Sequence, residues 1–172
     1  MNKASSRSAS AVKLRRGRIG DLDALIQIEQ AVFTTDILSR RSFRRFLAAA
    51  SATLIVAEVD RNVAGYVLVL YPPRSKFARL YSIAVAPQLG RRGVGPLLLA
   101  AGEAAARRRG RKAMRLEVHE RNSRAIARYV KSGYRLFGRH YRYYDDRGDA
   151  LRFEKALGPG PRRRARVSHK PA

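Results

Sequence analysis

Cysteine and tryptophan are absent from the 172 residues, and acidic side chains are scarce, 13 Asp and Glu standing against 37 Lys and Arg. Without cysteine there are no disulfides, no thiol nucleophile and none of the usual zinc sites. Apolar runs are short, none approaching the ~18 residues a membrane-crossing helix needs. The first twenty residues carry Lys and Arg but no apolar h-region, which argues against a secretory signal. The expected compartment is therefore the cytoplasm. His119, His140 and His169 show neither metal-like spacing nor a carboxylate constellation, so they read as surface or core groups, and no metal is expected.

What is present suffices for one domain with a single core, since 45% of the residues are hydrophobic. Of the net charge of +24, residues 1–18 hold +6, residues 158–172 hold +5 and the remainder holds +13. Such a field raises encounter rates with polyanions and binds nucleic acid in a salt-dependent way. An arginine-rich composition with no special partner accounts for it equally well. Residues 1–11 are Ser-, Ala- and basic-rich without periodicity and read as a disordered tail. Gly158-Pro-Gly-Pro161 stops regular structure before an arginine-rich tail that runs to residue 172, leaving residues 12–157 as the domain.

Within that domain a short strand is expected over Val12 to Arg18. Gly20-Asp21 offers a helix N-cap ahead of Leu22, Leu25, Ile26, Val32 and Phe33, which recur near helical spacing. Ser39 can cap a second helix with Phe43, Phe46, Leu47 and Ala50 on one stripe, and Thr34 to Leu38 between the two is a candidate substrate loop. Thr53–Val59, a turn at Asp60-Arg-Asn62 and Val63–Tyr71 read as a β-hairpin that Pro72-Pro73 ends. A strand from Phe77 to Ala86, a helix from about Gly93 to Arg109 and a strand from Ala113 to His119 make one right-handed βαβ unit in an otherwise antiparallel sheet. Asn122 or Ser123 caps a last helix that Gly133 terminates. Two final strands, Tyr134–Tyr144 and Asp149–Leu157, are joined by Asp145-Asp-Arg-Gly148, where Asp and Gly serve the turn.

Chemistry concentrates between Leu80 and Leu99. The strand breaks at Pro87, passes Gly90-Arg91-Arg92-Gly93-Val94-Gly95-Pro96 and enters an Ala- and Leu-rich helix. Such a loop leaves backbone N–H groups unpaired at a helix start, where the dipole adds partial positive charge, so it suits a diphosphate. It is no P-loop, lacking Gly-x-x-x-x-Gly-Lys-Ser/Thr. The Rossmann pattern also fails, because Leu98 occupies the third glycine position.

The pattern Val-x-Pro-x-x-x-Arg-x-Gly-x-Gly resembles the acetyl-CoA loop of the GNAT N-acetyltransferases. Leu116-Glu-Val-His-Glu-Arg-Asn-Ser-Arg-Ala-Ile-Ala-Arg-Tyr-Val-Lys-Ser-Gly-Tyr134 and the ending Tyr143 to Leu157 are similar to the RimI-type, ribosomal-protein-alanine branch. One departure is Gly90, where Arg or Gln is common in the family. The resemblance spans roughly residues 12 to 157 and implies an α/β (α+β) GNAT fold: a mixed, mostly antiparallel sheet of six to seven strands flanked by about four helices. It implies acetyl-CoA as cosubstrate and direct transfer to an amine in a ternary complex. The implied acceptor is a protein N-terminal α-amine, perforce of unspecified sequence, with a ribosomal protein among the candidates. A small amine such as a polyamine, amino acid or drug is the enzymatic alternative, and a non-enzymatic ribosome- or RNA-binding module is the other class. A monomer or weak dimer, with no membrane partner, is expected.

By the same resemblance Ile83, Ala84 and Val85 run beside the pantetheine, with the Val85 N–H toward the thioester oxygen. Arg91, Arg92, Gly93, Val94, Gly95 and Pro96 hold the diphosphate, and Asn122 bonds the pantetheine arm. Glu117 corresponds to the base and Tyr129 to the acid that protonates the departing thiolate. Each has a plainer reading. Ile83 and Val85 are strand residues, Asn122 caps a helix, Glu117 is a satisfied strand-end glutamate, and Tyr129 belongs to an apolar helical stripe with Ala125, Ile126 and Val130.

Overall fold

The computed structural model describes residues 11–89 and 93–158. The two expected tails fall outside these residues except for Ala11 and Gly158, as do Gly90, Arg91 and Arg92 of the glycine-rich loop. The described elements are β1 (Lys13–Arg16), α1 (Leu22–Val32), α2 (Arg40–Ala48), β2 (Ala52–Val59), β3 (Asn62–Leu70), β4 (Phe77–Val85), α3 (Val94–Arg108), β5 (Ala113–His119), α4 (Ser123–Lys131), β6 (Arg135–His140) and β7 (Ala150–Ala156). They form a seven-stranded sheet in the order β1-β2-β3-β4-β5-β7-β6. Only β4 and β5 run parallel among the described pairs, so the βαβ unit sits at the centre, as the sequence predicts.

The side-chain alternation of a strand sends its two residue sets to opposite faces, and two cores result. On one face Val67, Val69, Leu80, Met114, Leu116 and Phe153 meet Val94, Leu98 and Leu99 of α3 and Tyr129 of α4. On the other, Leu54, Val56, Tyr66, Leu68 and Ala84 meet Leu22, Leu25, Ile28, Phe43 and Phe46 of α1 and α2. Glu103, the lone acid of α3, is buried and ties that helix to the sheet by accepting from Tyr134 Oη at 3.1 Å and Lys155 Nζ at 2.8 Å.

Local sequence accounts for most element ends. Ser39 caps α2, its hydroxyl accepting from Ser42 N at 3.1 Å, and Asn122 caps α4, its Oδ1 accepting from Ala125 N at 3.1 Å. Two expectations need correction. Asp21 is not the side-chain cap of α1: it closes a 3-10 turn over Ile19–Asp21, where its carboxylate accepts from Arg18 N at 2.7 Å and from the Arg15 guanidinium at 2.8 and 2.9 Å. The strand expected to reach Tyr144 stops at His140. Arg142 there takes φ +51 and donates its N–H to Asp149, while Tyr143 N and Tyr144 N donate to Gly148 O. Tyr143 and Tyr144 thereby leave the sheet for the β6–β7 connection.

Candidate active site

The site begins with a divergence between parallel neighbours. β4 pairs with β5 only over Phe77–Arg79 against Ala113–Arg115, although β4 continues to Val85 and β5 to His119. Beyond Arg79 the ladder ends, and one edge of β4 has no pairing strand among the described residues. A register shift on the β3 side, where Val69 faces Leu80 but Leu68 faces Ser82, makes Tyr81 an extra residue. That bulge switches which residues face α3, from Ala78 and Leu80 before it to Ile83 and Val85 after it. Ala86 N donates to Ala64 O of the β3 side at 2.8 Å. By alternation the Val85 N–H points to the opposite, unpaired edge.

The start of α3 lies at the end of this opening. Gly93 is its N-cap at φ +70, a left-handed conformation that glycine adopts without penalty, and among the described residues no atom stands within 4 Å of where a Cβ would be. Val94 and Gly95 bring first-turn N–H groups, whereas Pro96 has none to offer. A Cβ at Gly95 would lie 3.3 Å from the Arg128 Nη1 and 3.6 Å from its Cζ, so a guanidinium from α4 rests against the first turn. No acid partners Arg128 among the described residues.

Glu117 and Tyr129 lie on opposite faces of the sheet. Leu116 and Val118 of β5 join the α3 face, so Glu117 between them points to the other. Its side chain is 14% exposed, with Oε2 at 3.0 Å from Arg79 Nε and Oε1 at 3.9 Å from Arg152 Nε. Tyr129 is 7% exposed in the α3 face, edge-on to Tyr134 with ring centroids 5.7 Å apart. Burial pushes its phenol up to about 12 against the pull of Arg128, so it stays protonated through the physiological range.

Several neighbours carry no contiguous motif. Burial pushes the Tyr144 phenol up, and Tyr143, Glu117, Asp36 and Tyr129 push the same way. The His119 ring stacks on Tyr144 at 4.8 Å and meets Asp146 Oδ2 at 3.0 Å, so His119 has the carboxylate partner that its sequence context did not disclose. Glu29, 1% exposed, accepts from Leu38 N at 2.9 Å and from the Tyr66 hydroxyl, which lies 2.8 Å from Ser82 Oγ. Burial raises the Glu29 carboxyl above its ordinary value, against the Leu38 N–H and the Ser82 hydroxyl. This network anchors the Thr34–Leu38 connection to the strand pair at the bulge.

The structure thus packs Ile83, Val85, Val94 and Tyr129 in one core, with a Cβ at Gly95 3.8 Å from Val85 Cγ2, whereas Ala84 and Glu117 point to the other face of the sheet. Asn122 caps the helix that carries Tyr129, and its amide NH2 is uncommitted among the described residues. Among those residues no cluster of three or more His, Asp or Glu is placed to hold a metal, and no helix is long and apolar enough to cross a membrane.

A model of the acetyltransferase (GNAT) family matches residues 22–134. The chain belongs to the GNAT acetyltransferase family. It is similar to proteins of several named activities. An N-alpha-acetyltransferase of Sulfurisphaera tokodaii is 30% identical over 161 residues, which cover 87% of this chain and 96% of the relative. The ribosomal-protein-S18-alanine N-acetyltransferase of Escherichia coli superposes with a TM-score of 0.76 at 24% identity, covering 88% of this chain and 97% of that one. The PaiA N-acetyltransferase of Thermoplasma acidophilum, solved in complex with coenzyme A, superposes with a TM-score of 0.70 at 19% identity, covering 85% and 99%. The seven-stranded sheet and four α-helices of this GNAT protein match the fold of those neighbours.

Proposed function

We propose that this N-acetyltransferase uses acetyl-CoA to acetylate the α-amine of a protein N-terminus. The observation that carries the reading is the opening between β4 and β5, with an unpaired strand edge and a helix start on one side and Glu117 and Tyr129 on its two faces. The residues fit the cosubstrate. Val94 and Gly95 N–H groups, reinforced by the α3 dipole and the Arg128 charge, suit its diphosphate. The free edge at Ile83-Ala84-Val85 suits its amide-bearing arm, and the Asn122 amide NH2 is a further donor for it. When bound, acetyl-CoA supplies an activated thioester.

The chain's own groups then divide the work. The Val85 N–H is a preorganised donor for oxygen charge that develops in the transition state. Glu117 attracts the acceptor ammonium and takes its proton, directly or through water. Tyr129 donates a hydrogen bond to the departing sulfur. With its phenol at about 12 and a thiol near ~8.5, full transfer to a free thiolate is uphill by roughly 5 kcal/mol. Tyr129 therefore acts while the bond breaks, by screening growing charge on sulfur.

An α-amine fits this site better than a lysine or a polyamine. At pKa ~8 roughly a tenth of α-amines is neutral at pH 7, against about one in a few thousand lysines. The acceptor face is lined by Arg79, Arg115 and Arg152, which disfavours a polycation. The name of the Sulfurisphaera relative agrees with the α-amine class, and a ribosomal protein stays among the acceptors to be tried. The deciding experiment is incubation with labelled acetyl-CoA and a panel of N-terminal peptides, polyamines and amino acids. Label on peptide α-amines is the expected result, and label on polyamines alone overturns the reading.

A further inference from the structure

Helices α1 and α2 cover only part of their sheet face, the part made by β2, β3 and the end of β4. The rest is covered by no helix among the described residues and carries charges across three strands. Arg79 of β4, Glu117 of β5 and Arg152 of β7 stand side by side, Glu117 in register with Arg152. Next to them Arg115 faces Glu154 in register and pairs with it at 2.5 Å. A cavity of about 340 Å³ opens over this ladder, lined among others by Arg79, Arg115, Glu117, His140, Tyr143 and Arg152.

The lining holds three guanidiniums and one carboxylate. Arg79 spends its donors on Glu117 and on Tyr143 Oη, the latter at 2.9 Å. Arg115 is matched by Glu154. No hydrogen bond leaves the Arg152 side chain among the described residues: its Nε is buried 3.9 Å from Glu117, too long for one, and its guanidinium lies over the Phe137 ring at 4.6 Å. With only that long approach to Glu117, the outer N–H groups of Arg152 are the donors of the lining left for an oxygen the chain does not supply. The cavity also starts at Glu117 itself, where the acceptor amine is placed.

We infer that the cavity receives a carboxylate borne by the acceptor, so that the enzyme selects protein N-termini with Asp or Glu as first or second residue. The inference rests on the N-terminal reading given above. An extended residue spans ~3.5 Å, so an amine held at Glu117 puts the first or second side chain over Arg79 and Arg152. A planar carboxylate matches a guanidinium fork and supplies an acceptor for the outer N–H groups of Arg152. A lysine side chain would meet three like charges there, and a neutral one would leave the Arg152 charge with only its long approach to Glu117.

The test compares matched peptides that begin Glu or Gln, Met-Glu or Met-Gln, and Lys, together with free glutamate, using the full chain and acetyl-CoA. Acidic peptides should exceed their amide twins in kcat/KM by roughly ten- to a hundredfold, the worth of one charge-assisted hydrogen bond. In Arg152→Gln that ratio should fall toward one, and Arg152→Lys should restore part of it. Equilibrium binding of the same twin peptides gives a second readout that needs no turnover. Equal treatment of Glu and Gln peptides by the wild-type enzyme in both assays overturns the inference, whatever the variants do. Free glutamate outpacing every peptide supports the carboxylate cavity while overturning the protein acceptor. Efficient acetylation of neutral peptides alone keeps the protein acceptor and overturns the cavity.

Discussion

The two faces of the sheet at the β4–β5 opening are built from different materials. On the α3 and α4 face the groups proposed to work are backbone N–H donors, small residues and one buried phenol, all enclosed by aliphatic packing. On the other face they are charged side chains from β4, β5 and β7 and aromatic ones from the β6–β7 connection, open to solvent. The first face is set by local chain geometry and tolerates little chemical variation. The second is set by strand register and can change its charge without disturbing a core. Family membership therefore speaks for the first, while the acceptor must be read from the second.

The sharpest way to separate the faces is Tyr129→Phe. Removing one donor to the leaving sulfur should lower kcat by roughly a hundredfold, while calorimetry should find coenzyme A affinity unchanged, since the ring and its packing remain. Unaltered turnover would place the acid function elsewhere, Tyr144 being next to examine. A slightly smaller effect, on stability, is expected from Glu29→Ala. It orphans the buried Leu38 N–H and leaves the Tyr66 hydroxyl with Ser82 Oγ alone, which should cost about 2 kcal/mol in urea unfolding. Glu29→Gln keeps an acceptor oxygen and should recover most of that loss. Because Glu29 holds the Thr34–Leu38 connection, residual folded Glu29→Ala should lose acceptor affinity and keep coenzyme A affinity.

The same contrast explains what the sequence discloses. The strand and the helix between Leu80 and Leu99 lie in one continuous stretch whose apolar pattern has local causes, so the βαβ unit is legible there. Tyr129 and Asn122 follow from a single capped helix. The bulge at Tyr81 is not legible, because it is defined by the register against Leu68 and Val69 thirteen or so residues away. Arg128 reads as one more solvated helix charge until α4 is packed on Gly95. Arg79, Glu117 and Arg152 become neighbours only through the strand order β4-β5-β7. Tyr143 and Tyr144 read as strand because aromatic residues favour strands, yet the left-handed Arg142 turns them out of it.

On the donor face, Gly93→Asp tests whether the helix start is a diphosphate cradle. The position has room for a side chain, and Asp tolerates left-handed φ better than most residues, so folding should change by about 1 kcal/mol or less. The added negative charge lies where an anion is to bind, and coenzyme A affinity should fall roughly ten- to a hundredfold. Unchanged affinity in calorimetry would remove the cradle and leave the acceptor face untouched.

The smallest effect is expected at Glu117, and its pH dependence is what makes it informative. A base that helps an α-amine of pKa ~8 gains at most about tenfold at pH 7, because roughly a tenth of the amine is neutral already. Glu117→Gln should therefore lower kcat/KM by up to about tenfold at pH 7, and the deficit should shrink as pH rises through 8 and vanish near 9, where the amine deprotonates unaided. The substitution also strips Arg79 and Arg152 of their carboxylate. A loss caused by that disturbance has no reason to follow the titration of the substrate amine. A deficit that stays constant from pH 6.5 to 9 would thus make Glu117 a structural member of the charge ladder, and a deficit that closes with pH would make it the proton acceptor.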